Sequence, residues 1–235
     1  MARIVALLSG GLDSTVLVAY LLDRGHQVDV LSADYGQRHR RELEAARLVA
    51  AYYRLQHDLL DMTAVGSLLS GSALTDHSVA VPDGHYAAEQ MRTTIVPNRN
   101  MLFLAAAGGI AQAREAHAIA IAVHAGDHYI YPDCRPPFLA AMREALRLAT
   151  EEPERFGLGI LSPFEDRTKA DIVTLGAALG APMGLSWSCY RGGLSHCGKC
   201  GTCYERREAF ALAGVADPTD YVDQLTIFAD PTVPA

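Results

Sequence analysis

Short apolar runs rich in Val, Ile and Leu recur along the chain, separated by longer stretches of helical period. Residues 3–8 (RIVALL), 27–34 (QVDVLSAD), 56–61 (QHDLLD) and 118–125 (AIAIAVHA) read as strands. Between them, residues 14–24, 38–53 and 100–115 carry apolar side chains at helical spacing, and further helices are expected from Pro137 to about Glu152 and over 169–180. This alternation predicts an α/β fold, a Rossmann-like parallel sheet with helices on both faces. Such sheets bind ligands at the carboxyl ends of their strands. Residues 62–98 interrupt the pattern. They lack a clean period and mix Gly, Ser and Pro with several His and Asp, so a mobile flap is expected there.

Composition narrows the class. A chain of 235 residues, 50% hydrophobic, supports one substantial core with at most a small appendage. A formal net charge of -7 is not the basic field of a protein that grips nucleic acid by its phosphates, so no stable nucleic-acid partner is expected. No run approaches the length of a membrane span, and the N-terminal stretch IVALL is too short for a signal-peptide core. The expectation is a cytoplasmic protein with no membrane partner.

The turn after the first strand carries the first candidate chemistry. Leu8, Ser9, Gly10, Gly11, Leu12, Asp13, Ser14 and Thr15 follow an apolar run and lead into a helix. Glycines let successive backbone N–H groups point at one anion, and the helix adds its positive end. Hydroxyls of Ser9, Ser14 and Thr15 can donate to phosphate oxygens, while Asp13 could hold the loop or a magnesium ion. A tight strand-to-helix turn with a Ser or Asp N-cap is the plain alternative for any Gly-Gly turn. The full string excludes a Walker loop, which needs a Lys, and the GxGxxG spacing of a dinucleotide fold. It resembles, residue for residue, the SGGxDS motif of the PP-loop ATP pyrophosphatases. That resemblance implies ATP binding, cleavage between the α and β phosphates, and adenylation of an acceptor oxygen. It also puts Ala33, Asp34 and Tyr35 near the adenosine, although Asp34 reads equally well as the end of a strand.

Four of the five cysteines crowd into one short segment. Cys189, Cys197, Cys200 and Cys203 have the spacing C-x7-C-x2-C-x2-C, in which each x2 gap lets two thiolates meet one ion. Structural zinc is the reading. An iron–sulfur cluster is the rival, but the ferredoxin pattern continues with a further Cys followed by Pro and this chain does not. Lys199, Arg191, Arg206 and Arg207 are placed in sequence to offset the thiolate charge. His196 could replace a cysteine or be a solvated loop residue. His124, Asp127 and His128 could suggest another metal site, although isolated loop histidines are seldom ligands.

Five further strings decide the family. YGQRHRRELEAA (35–46), VPNRNMLFLAAA (96–107), YPDCRPPF (131–138), SPFEDRTKADIV (162–173) and SWSCY with CGKCGTCYERREAF (186–210) together resemble the QueC family. The resemblance spans nearly the whole chain. It implies an ATP-dependent ligase that converts 7-carboxy-7-deazaguanine and ammonia into 7-cyano-7-deazaguanine through the amide, with Mg2+ and Zn2+ as cofactors and a homodimer as the assembly. Two units are expected, an ATP pyrophosphatase domain over 1–185 and a zinc-binding segment over 186–235 packed as part of it. Lys169, at a helix start, is a candidate for neutralising phosphate charge, or else a solvated cation. Asn98, Arg99 and Asn100 are candidates for the acceptor pocket, or else a turn that caps the next helix. Asp133 and Arg135 could read a guanine-like edge, or belong to a rigid proline loop. Cys134 reads as a buried structural thiol more readily than as a nucleophile. Three rivals share parts of this reading. They are a ligase that stops at the amide, a PP-loop enzyme that thiolates tRNA, and a zinc-ribbon binding module.

Overall fold

The computed structural model of the chain describes residues 1–85, 89–150 and 157–223. Five parallel strands form one sheet: β1 (Arg3–Leu7), β2 (Gln27–Asp34), β3 (His57–Asp61), β4 (Ala118–Ala120) and β5 (Gly159–Leu161), in the order β3-β2-β1-β4-β5. Seven α-helices accompany them among the described residues: α1 (Leu12–Asp23), α2 (Arg41–Tyr52), the single turn α3 (Thr63–Gly66), α4 (Arg99–Ala113), α5 (Pro136–Ala149), α6 (Lys169–Ala178) and α7 (Gly201–Leu212).

Strand periodicity sorts the core into two layers. Ile4 and Ala6 of β1, with Val28 and Val30 of β2, pack beneath α1, α2, α6 and α7. Val5, Leu31, Ile119 and Ile160 face the other way, against Leu104 and Ala107 of α4 and Leu139 and Leu146 of α5. Both faces of the sheet are therefore covered, and the strands read as apolar runs for that reason. The direction of winding reverses beside β1, which pairs with β2 on one side and β4 on the other. That arrangement opens a crevice over the carboxyl ends of β1, β2 and β4.

Several elements depart from the sequence expectation. The ladder of β4 ends at Ala120 and not near residue 125, because the backbone turns away to let His124 accept a hydrogen bond from the Gly126 N–H (3.1 Å) and cap a 3-10 turn over Ala125–Tyr129. Three-residue β5 is too short to show a period in sequence. Helix α5 runs to Ala149, and the expected end at Glu152 lies outside the described residues. Residues 62–98 do not hang loose where they are described. Ser72, Ala73, Leu74, Met91 and Thr94 are buried. Arg38 donates to the Asp76 and Val79 carbonyls, and the Gly84 N–H to that of Lys199. The segment is thus a strap packed over the cysteine region. Residues 224–235 of the expected zinc-binding unit lie outside the described residues. The rest of that unit shares the main core, since Ala209 and Phe210 of α7 join the layer of β1 and α1.

Candidate active site

Gly10 fixes the shape of the turn between β1 and α1. Its φ is +86°, and a Cβ there would lie 2.0 Å from the Glu42 carbonyl oxygen of α2, so only glycine fits. Gly11 precedes α1 as its N-cap without a side-chain cap, while Ser14 Oγ (3.1 Å) and Thr15 Oγ1 (2.8 Å) donate back to its carbonyl. Ser9 Oγ accepts from the Gly11 N–H (3.2 Å) and lies 3.1 Å from Ser14 Oγ. The first N–H groups of α1 consequently face the crevice with no side chain over them, which is an anion seat.

Lys169 reaches this turn from the start of α6. A reciprocal capping box between Thr168 and Asp171 sets where that helix begins. The Lys169 ammonium is not a solvated cation: its side chain is 14% exposed and lies 3.1 Å from Asp13 Oδ2 and 2.6 Å from Glu205 Oε2. Burial opposes its charge, but the carboxylates of Asp13, Glu205 and Asp127 outweigh burial and hold its pKa above the ordinary lysine value. Burial likewise opposes ionisation of Asp13, and the Lys169 ammonium overrides it and keeps that carboxyl below its usual range. Buried His124 joins the group, with Nε2 3.6 Å from Asp127 Oδ1 and 3.8 Å from Glu205 Oε1. Asp13 Oδ1 and His124 Nε2 are buried without a hydrogen-bond partner. Two of these carboxylates, those of Asp13 and Glu205, pair directly with the ammonium beside the anion seat, and all three keep it charged there.

The crevice continues from the turn into a cleft of about 1200 Å3, its open mouth included. Leu8, Ser9, Gly11, Leu12, Asp13, Ser14 and Lys169 line one end; Tyr35, Phe103, Tyr131, Tyr190 and Cys134 line the other, around Arg99. Arg99 Nη1 donates to Tyr35 Oη at 3.4 Å. Burial disfavours its charge, yet the surrounding Tyr35, Tyr131 and Tyr190 hold the guanidinium pKa well above its ordinary value. Burial also pushes the Tyr35 phenol up to about 12, so it stays neutral. This end has flat aromatic walls and one fixed cation, a setting for a planar anionic ligand.

Not every candidate residue reaches the cleft. Asn98 is exposed, in the left-handed region (φ 52°), and serves to turn the chain into α4. Asp133 caps that helix from afar, its Oδ2 accepting from the Asn100 N–H at 2.8 Å. Asn100 lines the cleft but gives its Nδ2 to the Asp133 carbonyl and to Cys134 Sγ. Arg135 is exposed and donates to the His128 carbonyl (2.9 Å). Gly10 and Thr15 stand behind the lining, shaping it. Asp34 accepts from Arg40 and from the Gly36 N–H, while its neighbours Ala33 and Tyr35 line the cleft. Sequence reasoning misses Glu42, Trp187 and Glu205, although all three lie in strings that point to the family, and it offers Asp127 only for a metal site with His124 and His128.

The four cysteines converge as their spacing requires. Their Sγ atoms all lie within 4.8 Å of one another, and those of Cys197 and Cys203 are 3.9 Å apart. A tetrahedral zinc with Zn–S bonds of about 2.3 Å has S–S edges of about 3.8 Å, so the thiolates fit that ion. Gly198, with φ +79° and no room for a Cβ beside the Asp223 carbonyl, makes the turn in which the N–H groups of Lys199 and Cys200 donate to Cys197 Sγ. Hydrogen bonds from the other cysteines and from the Cys200 N–H draw the Cys197 thiol far below its ordinary pKa. The nearby cations give their hydrogen bonds elsewhere, although the charges of Cys197 and Cys200 also act on Arg191. Arg191 pairs with Asp83, Lys199 with Asp223, and Arg207 with the Asp223 carbonyl; fully buried Arg206 is spent on Ser186, Ser188, Thr219 and the Met183 carbonyl. His196 is neither ligand nor solvated. It is buried, stacks on Trp187 and accepts from the Ser188 N–H through Nε2. Trp187 in turn donates its backbone N–H to the Gly10 carbonyl (2.8 Å), so the cysteine segment walls the glycine-turn end of the cleft.

A family model described as "Queuosine biosynthesis protein QueC" matches residues 3–214. The 7-cyano-7-deazaguanine synthase of Allorhizobium ampelinum is 52% identical over 221 residues, which is 94% of this chain and 93% of that protein. That of Brucella anthropi is 53% identical over 216 residues, 92% of this chain and 91% of the relative. Among solved structures, the NMN synthetase of Francisella tularensis aligns with a TM-score of 0.50 at 13% identity, over 92% of this chain and 78% of that one. That likeness is one of fold. No described helix is long and apolar enough to cross a membrane.

Proposed function

The chain belongs to the QueC family of queuosine biosynthesis proteins, and from that membership we propose that it is a 7-cyano-7-deazaguanine synthase, as its relatives are named. The substrate is 7-carboxy-7-deazaguanine, the nitrogen donor ammonia, and the energy source ATP cleaved to AMP and pyrophosphate. One observation carries the reading: a single cleft joins an anion seat with a half-buried lysine to an aromatic pocket holding a half-buried arginine.

The chemistry follows from leaving groups. A carboxylate oxygen cannot depart until it is esterified. The acid therefore attacks the α-phosphorus of ATP, pyrophosphate leaves, and ammonia then displaces AMP to give the amide. The amide oxygen attacks a second ATP in the same way, and loss of AMP and protons leaves the nitrile. The N–H groups at the start of α1, the hydroxyls of Ser9 and Ser14, and Lys169 hold the departing pyrophosphate. Arg99 is the acceptor-side cation that orients the carboxylate, and Tyr35, Phe103 and Tyr190 sandwich the bicyclic ring; Asn98, Asp133 and Arg135 support the pocket without reaching into it. Asp13 is the first candidate to hold Mg2+, which supplies charge neutralisation between phosphates. The four cysteines hold Zn2+ as a structural ion. Family membership alone supports a homodimer, which light scattering tests.

The decisive assay supplies purified protein with ATP, magnesium, ammonium and 7-carboxy-7-deazaguanine and follows products by mass. Nitrile with AMP and pyrophosphate is the expected result. Amide alone would identify an amide-forming ligase, and neither product from folded, metal-loaded protein would remove the acceptor assignment.

A further inference from the structure

We propose that Glu205 is a positioning residue for Lys169, aiming its ammonium at the phosphate end of the cleft from a helix that the four-cysteine site anchors. The inference rests on the reading of that end as the ATP site. Glu205 Oε2 lies 2.6 Å from Lys169 Nζ, closer than Asp13 Oδ2 at 3.1 Å. Side-chain exposure is 14% for Lys169 and 10% for Glu205, so water cannot readily take the place of either partner. The four-carbon stem of a lysine carries large rotamer freedom, and an unheld ammonium would point in many directions.

The location of Glu205 gives the pair its meaning. It lies two residues after Cys203 on α7, which starts at Gly201 directly after Cys200. The segment that gathers the thiolates therefore also fixes where this carboxylate stands. Fully buried Arg206, bonded to Ser186 Oγ (2.8 Å) and the Met183 carbonyl (3.0 Å), prevents α7 from sliding.

Attraction for the ligand cannot explain a carboxylate there. A negative group beside a phosphate seat repels the phosphates, and a lysine without it would bind them more tightly. Direction is what Glu205 supplies, and it matters where charge develops on the leaving pyrophosphate, more than in the ground state.

A double-mutant cycle on the full-length, metal-loaded enzyme tests this, with Glu205→Ala, Lys169→Met and the pair together, metal content and melting temperature serving as controls. Glu205→Ala is expected to lower kcat about 100-fold, the scale of a misaimed catalytic group, without raising KM for ATP. In the Lys169→Met background the same change should alter kcat less than about threefold, because the group it acts through is gone. Glu205→Gln, which can still accept from the ammonium, should recover about tenfold over the alanine variant and replaces it in the cycle if the latter does not fold. An equal loss in both backgrounds, or a raised KM with kcat intact, overturns the proposal. If wild type binds ATP yet makes no deazaguanine product, the proposed function fails. The cycle is then read on calorimetric ATP affinity, where Glu205→Ala weakening ATP in both backgrounds overturns the inference and equal or tighter binding upholds it.

Discussion

The two ends of the cleft are assembled in opposite ways. At the phosphate end, one continuous stretch, the turn after β1 and the first turn of α1, forms the seat, and Lys169 is the main side chain that reaches it from elsewhere. The aromatic end draws Tyr35 from the end of β2, Arg99 and Phe103 from α4, Tyr131 and Cys134 from the loop before α5, and Tyr190 from the cysteine segment. A backbone turn can grip a phosphate because that group is small, charged and the same in every nucleotide. A flat, shaped ligand has to be enclosed from several sides, which only a tertiary arrangement can do. The first end should therefore fail as a unit, and the second should fail contact by contact.

Gly10→Ala attacks the unit directly. The variant sets an alanine at φ +86° with its Cβ 2.0 Å from a backbone oxygen of α2, and neither strand nor helix can move without disturbing the core. Roughly 3 kcal/mol of destabilisation is expected from the left-handed backbone and the overpacking together, with loss of measurable turnover. Chemical denaturation and the nitrile assay check both. A soluble variant with normal ATP affinity would show that the turn is more pliable than its packing indicates.

Loss of the metal proposed for the four cysteines comes next. The four thiolates would be left crowded within 4.8 Å, and the wall made by Trp187, Ser188 and Thr202 would lose its anchor. Cys200→Ser should abolish stoichiometric metal binding and lower the melting temperature, with ATP binding weakened because Trp187 also holds the Gly10 carbonyl. Trp187, the only tryptophan, reports the change by its emission. Unchanged emission and ATP affinity in a metal-free variant would separate the two regions.

Arg99→Lys sharpens the comparison from the aromatic side. Lysine keeps the charge but not the planar fork, so kcat/KM for the acceptor should fall about 100-fold, as expected for about 2.7 kcal/mol, while KM for ATP stays within about threefold. Equal losses for both substrates would mean that the two ends act as one.

Legibility in sequence follows the same division. The turn, the cysteine spacing and the strands β1 and β2 were visible because each depends on neighbours a few residues away. Only Arg99 and Asn100 among the five acceptor candidates line the cleft. Asn98, Asp133 and Arg135 carry the right chemistry, but a left-handed turn, a distant helix cap and an outward-facing loop consume it. Glu205 was hidden inside a string read for its thiolates, its cations and its family likeness, since a pairing across 36 residues leaves no periodic trace. The strap over 62–98 misled for a related reason. Its buried positions, such as Ala73 and Met91, are spaced by the surface they cover and not by a helix or strand.

The smallest effect is expected at Cys134, although this thiol lines the cleft beside Arg99. Position alone would suggest a nucleophile. Burial, with the carboxylates of Asp127 and Asp133 adding to it, pushes the thiol far above its ordinary pKa and outweighs the influence of Arg99 and of the Asn100 hydrogen bond. The thiolate is the reactive form, so at neutral pH almost none is present. Cys134→Ala removes one weak acceptor from Asn100, which keeps its bond to the Asp133 carbonyl. Turnover should therefore change less than about fivefold, the scale of a single neutral hydrogen bond of about 1 kcal/mol. In the wild-type enzyme, alkylation at Cys134 should remain slow up to about pH 9, past the ordinary thiol range. Rapid labelling near pH 7 together with a large loss in the alanine variant would make Cys134 a covalent participant. The aromatic end would then perform chemistry of its own, where the comparison gives it only the task of holding the acceptor.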